Sequence, residues 1–150
     1  MSKFQFNLQS LYNIKILMED LAKNKLSKAL KELNKQEMLL DQYLCDRSSC
    51  ITELSAKCKD GVPSFVLKSY NLYLTQLNEK ITKQKEVIKL AKKNVDTVRE
   101  ELIKATQEKE MFEKLKERKY AAYLYEISKK EQRITDELVS YRKSLKSAML

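Results

Sequence analysis

Histidine and tryptophan are absent from this chain of 150 residues, and glycine and proline occur once each. A compact globular domain of this length would carry about ten glycines and about seven prolines. Without histidine there is no His-based acid/base or nucleophile pair. A single glycine cannot build a Gly-rich loop around a phosphate. Cys45, Cys50 and Cys58 are an odd number with no Cys-x-x-Cys spacing. A zinc site or a disulfide framework is therefore not expected, and reduced thiols fit better. No apolar run approaches ~20 residues, so no segment is expected to span a membrane. The start, Met-Ser-Lys-Phe-Gln-Phe, lacks the continuous apolar stretch of a signal peptide.

What is present is charge. Charged residues make up 34% of the chain and aromatics 8%, with a formal net charge of +9. The basic excess is largest over residues 61–119, but the signs are interspersed throughout. Mixed Lys and Glu describe a solvated helix surface. No dense basic region precedes the apolar repeat as in zipper-type DNA binders, so a nucleic-acid partner is not expected. The carboxylates have Lys or Arg nearby at helical spacing, as Glu113 has Lys116, and surface pairing accounts for them. No catalytic residue, metal site, cofactor or small-molecule substrate is expected, because an open helical hairpin has no water-excluding pocket. The composition describes a binding protein, not an enzyme.

The only glycine and the only proline fall together in Asp60-Gly61-Val62-Pro63. Gly allows backbone angles that a helix cannot use, and Pro cannot continue a helix arriving from its N-terminal side. The expected fold is all-α and a single domain over residues 1–150. Two long helices, about 4–59 and about 64–147, form an antiparallel coiled-coil hairpin around a turn at 60–63, with Ser64 as N-cap of the second. On the first helix Leu11, Ile14, Met18, Ala22, Leu26, Ala29 and Leu33 recur at three- and four-residue steps. The stripe continues through Leu40, Leu44, Ile51 and Leu54, with Glu37 and Arg47 interrupting it. On the second, Leu67, Tyr70, Leu74, Leu77, Ile81, Gln84, Ile88, Ala91, Val95, Val98, Leu102, Ala105, Lys109 and Phe112 alternate steps of three and four. So long a seven-residue repeat signals a left-handed coiled coil.

After Phe112 the register changes. The strict frame would turn Lys116 and Lys119 inward, but apolar residues reappear at Tyr120, Leu124, Ile127, Ile134, Leu138, Tyr141 and Leu145, with Glu131 the polar member. Helices of roughly 56 and roughly 83 residues measure about 84 Å and about 125 Å. In a hairpin closed at Gly61, Phe4 would sit opposite a residue near 120, and the second helix would overhang at its C-terminus. An apolar stripe with no partner inside the chain marks an interaction site; the alternatives are that it pairs with a second copy or frays.

Three stretches, in this order, resemble the flagellar export protein FliJ family. They are Phe4-x-Phe6-x-Leu8-x-x-Leu11, then Gln36-x-x-x-Leu40-x-x-Tyr43, then Glu113-Lys114-Leu115-Lys116-Glu117-Arg118 followed by Arg133 and Asp136-Glu137. The resemblance covers nearly the whole chain. It implies a component of the flagellar type III export apparatus, similar to the stalk subunit of rotary ATPases. It further implies three partners: the export ATPase FliI, the export gate protein FlhA and the flagellar export chaperones. The implied location is the cytoplasm, peripherally at the cytoplasmic face of the cell membrane. The positions matching the family's gate-contacting surface are Gln36, Leu40, Tyr43 and Arg47 on the first helix and Tyr73, Leu77, Lys80 and Gln84 on the second. Gln36, Leu40 and Tyr43 follow the family pattern; Arg47, Lys80 and Gln84 depart from it. Leu77 and Gln84 also lie on the apolar seam, so either the seam is rotated there or these two are core. For the ATPase end the resemblance points to Phe4, Leu8, Leu11, Arg118, Leu124, Arg133, Asp136, Glu137 and Arg142. Phe4, Leu8 and Leu11 have a second reading, as a cap on the hairpin core. Two other functions stay open: the equivalent stalk protein of a virulence-type secretion system, and a structural coiled coil that dimerises through its overhang.

Overall fold

The computed structural model describes residues 3–150, which form two helices and, among the described residues, no strand. Helix α1 is Gln9–Asp60 and helix α2 is Ser64–Ala148. They pack against each other as an antiparallel hairpin. Gly61 ends α1 with φ 85°, the left-handed conformation that glycine adopts without a Cβ penalty. Lys57 and Lys59 stand in the last turn of α1, where positive charge suits the helix dipole. The first carbonyl of α2 belongs to Pro63, which accepts the N–H groups of Val66 (3.1 Å) and Leu67 (3.3 Å). The cap position therefore falls on Pro63. Ser64, expected there, is the first helical residue.

The start of α1 also corrects the expectation. Residues 3–8 are not helical. Leu8 caps α1, its carbonyl accepting the Tyr12 N–H at 2.9 Å. In this strap Phe4, Phe6 and Leu8 are half-buried while Lys3, Gln5 and Asn7 are exposed. That alternation has period two, the mark of extended chain.

The hairpin divides into two units, Asp20–Lys104 on the turn side and Met1–Glu19 with Ala105–Leu150 at the termini. The turn-side unit has an apolar core. Leu77, Ile81, Ile88, Val95 and Val98 of α2 are buried, with Ala22, Ala29 and Cys50 of α1. Its polar layer is Gln84, 7% exposed, whose Nε2 donates to the Gln36 backbone carbonyl and to the Gln36 side-chain oxygen, each at 2.8 Å. Glu37, read from the sequence as the interruption on α1, is exposed; Gln36 is the seam residue. Ile51 is likewise exposed and its neighbour Cys50 buried. Leu67 is exposed too, and Val66 half-buried in its place.

In the terminal unit the seam of α1 is displaced by one residue from the expected stripe. Leu11, Ile14 and Met18 are 46–47% exposed, while Tyr12, Lys15 and Ile16 are half-buried and Glu19 is 4% exposed. The heptad that runs back from Ala22 passes through Glu19, Lys15 and Tyr12 by steps of three, four and three. These meet α2 through ions. The Lys109 ammonium lies 3.2 Å and 3.1 Å from the two Glu19 oxygens, Lys15 pairs with Glu108 at 2.7 Å, and the Lys116 ammonium stands 5.5 Å over the Tyr12 ring.

Candidate interaction surfaces

At the termini the strap is clasped by two tyrosines of α2. The Phe4 ring sits edge-on to Tyr120 at 5.2 Å between centroids and tilted against Tyr123 at 5.4 Å. Aromatic pairs prefer such offset and edge geometries. Phe4 lies opposite position 120, as hairpin arithmetic expects. Tyr123, absent from the sequence reading of the stripe, is half-buried, whereas Tyr120 and Leu124 are each 47% exposed. Tyr123 is seven residues beyond Lys116, so the strict heptad persists one repeat further than the apolar residues suggested.

After Ile127 no residue is even half-buried: residues 128–150 are all exposed although α2 continues to Ala148. Ile134, Leu138, Tyr141 and Leu145 keep their stripe on this extension. Arg133, Asp136, Glu137 and Arg142 are exposed on the same extension, and Arg118 is exposed before it. Of the residues assigned to an ATPase, Phe4 is thus taken up by the clasp and Leu8 is half-buried. Leu11, Arg118, Leu124, Arg133, Asp136, Glu137 and Arg142 are accessible. The Lys109 ammonium behind them is raised above its ordinary pKa, chiefly by its hydrogen bond to Glu19.

Near the turn the eight residues assigned to a gate contact divide. Leu77 and Gln84 are core, so the sequence tension over them resolves toward burial. Gln36 is half-buried and held by Gln84, and its own amide donates to Glu32 at 2.7 Å. Arg47 is half-buried and donates to Asn78 at 3.2 Å. Leu40 and Tyr43 are half-buried; Tyr73 and Lys80 are exposed. Tyr73 borders a shallow cleft with Asp46, Ser49, Cys50, Glu53, Ser69 and Tyr70. Sequence reasoning did not assemble this cleft, because its residues come from two helices and only Tyr70 lies on the apolar repeat. At its turn-side edge Lys57 donates to the Tyr70 hydroxyl at 2.7 Å, and that hydrogen bond raises the Lys57 pKa.

Among the described residues no group of three or more His, Cys, Asp or Glu could hold a metal ion. No helix is long and apolar enough to cross a membrane. Two features stand exposed: an apolar helical stripe beyond the clasp and an aromatic edge near the turn.

The family described as flagellar FliJ protein matches residues 4–147. No curated protein matches the chain. Among solved structures, a putative YscO homolog from Chlamydia trachomatis has the same fold, with a TM-score of 0.59 and 22% identity. The match covers 99% of this chain and 100% of that one.

Proposed function

The chain belongs to the flagellar FliJ family, and on that premise we propose that it is a non-enzymatic, stalk-like component of the flagellar type III export apparatus. It binds the export ATPase FliI through the extension of α2 and the export gate protein FlhA through the turn-side edge, and it engages export chaperones. It works in the cytoplasm at the membrane face. The observation that carries this reading is the extension itself: residues 128–148 continue α2 as a helix with a spaced apolar stripe and no cover. A single helix gains little stability from propensity, so such a stripe is stabilised by packing against a partner. Arg133, Asp136, Glu137 and Arg142 flank it and set orientation more than affinity. At the other site Tyr73 and Lys80 are accessible at the surface and Tyr43 partly so, while Leu77 and Gln84 act indirectly by fixing the seam beneath them.

A second reading is the equivalent stalk protein of a virulence-type secretion system, which needs the same hairpin fold. Genes neighbouring the coding sequence decide between the two. Deleting residues 128–150 tests the ATPase contact. Thermal melting of the remaining hairpin should be nearly unchanged, because no buried side chain is removed, and binding to the export ATPase should fall at least tenfold. Undiminished binding would move the contact to the paired part of the hairpin.

A further inference from the structure

In the terminal unit the one buried residue among the described residues is an acid. Every buried apolar side chain belongs to the turn-side unit, whereas Glu19 is buried at the termini. One residue away on the same helix, Leu11, Ile14 and Met18 stand about half exposed, with Leu17 at 60%. The chain therefore turns a mixed face inward, Glu19 and Lys15 beside Tyr12 and Ile16, and leaves Leu11, Ile14 and Met18 largely outside.

The spacing shows what the outer face fits. From Ala22 backward, Met18, Ile14 and Leu11 complete an 11-residue step, with Lys15 beside them. An 11-residue period has 3.67 residues per turn, and inserting one such step locally unwinds a left-handed coiled coil. Helix α2 holds the matching step. From Lys109 eleven residues lead to Tyr120, which begins the run Tyr120, Leu124, Ile127. Tyr120 and Leu124 are the two large apolar residues that the observed heptad leaves half outside. Both helices of this unit thus carry two overlapping registers, and the same local unwinding satisfies both.

We infer that the terminal unit has two windings. The heptad winding seen here buries Glu19 against a half-buried Lys109 and presents Leu11, Ile14 and Met18. The unwound winding turns α1 by about one residue, releases Glu19 to solvent and buries the apolar face against α2, with Tyr120 and Leu124 following. Cores and seams switch between discrete packings and do not deform smoothly, which makes the change two-state. A buried ion pair is a weak source of stability compared with well-packed apolar residues, which leaves the unwound winding able to compete. The turn-side unit, with its apolar seam in one register, has no such alternative.

Disulfide trapping tests it in the full chain carrying Cys45→Ser, Cys50→Ala and Cys58→Ser, with helicity checked by circular dichroism. Ala105 is a seam residue of α2 opposite this part of α1. The pair Met18→Cys with Ala105→Cys reports the unwound winding. The pair Leu17→Cys with Ala105→Cys, on the far side of α1, reports general fraying. Under mild oxidation the Met18 pair should close at least tenfold faster than the Leu17 pair. Adding Glu19→Leu and Lys109→Leu, which makes the heptad face apolar, should slow the Met18 pair about tenfold. A Met18 pair that closes no faster than the Leu17 pair, or that ignores the Leu substitutions, overturns the inference.

Discussion

A large apolar residue has two different meanings in this chain, and burial separates them. Ile81 is 3% exposed in the turn-side core, and Ile134 is 58% exposed on the extension. Ile81→Ala removes packed methylenes and leaves a cavity, at a cost of about 2–5 kcal/mol. Ile134→Ala removes nothing that the free chain packs, so its effect should stay within about 0.5 kcal/mol. Thermal or urea melts of the two variants should differ by that margin; equal losses would mean that the extension packs somewhere in the free protein. Periodicity found Leu77, Ile81, Ile88, Val95 and Val98 because their burial is also their pattern. It missed Glu19 and Lys15 for the converse reason. A scan for apolar residues passes over an ion pair in a seam, and Leu11, Ile14 and Met18 offered a better-looking stripe one residue away.

At the scale of elements, the turn was legible because only one glycine and one proline exist to make it. Gly61 holds φ 85°, and a Cβ built there meets nothing within 4 Å. Gly61→Ala therefore costs only the left-handed backbone, about 1–2 kcal/mol. Denaturant melts should show that loss with unchanged helicity; a larger loss accompanied by reduced helicity would mean that the turn side packs against space that appears open. The overhang was legible from arithmetic on the two helix lengths, and Phe4 against Tyr120 is its endpoint. The strap was misread as helix because Phe4, Phe6 and Leu8 precede a strongly helical sequence. Their period-two spacing was the available signal. The cleft beside Tyr73 was illegible, since facing residues of two helices meet only once the register is known.

Across the whole molecule the core is unevenly placed. The turn-side unit holds the buried apolar side chains, the terminal unit adds ion pairs and an aromatic clasp to half-buried apolar residues, and residues 128–150 are all exposed. Local opening is easiest where few apolar contacts close. Native-state amide exchange should therefore protect residues 74–98 of α2 most, residues 105–127 less and residues 128–148 least. Uniform protection along α2 would contradict this order.

On the proposed function, the stripe beyond the clasp, and not merely a long helix, binds the export ATPase. The direct measurement is the affinity of that ATPase for the full chain carrying Ile134→Gln, Leu138→Gln, Tyr141→Gln and Leu145→Gln, set beside the unmodified chain. Glutamine keeps good helix propensity, so circular dichroism should be unchanged. Each of the four side chains is worth about 1.5–3 kcal/mol if fully buried in a complex, so the affinity should fall by at least about 100-fold. An affinity within about threefold of the unmodified chain, with helicity intact, would show that the ATPase does not bind this stripe.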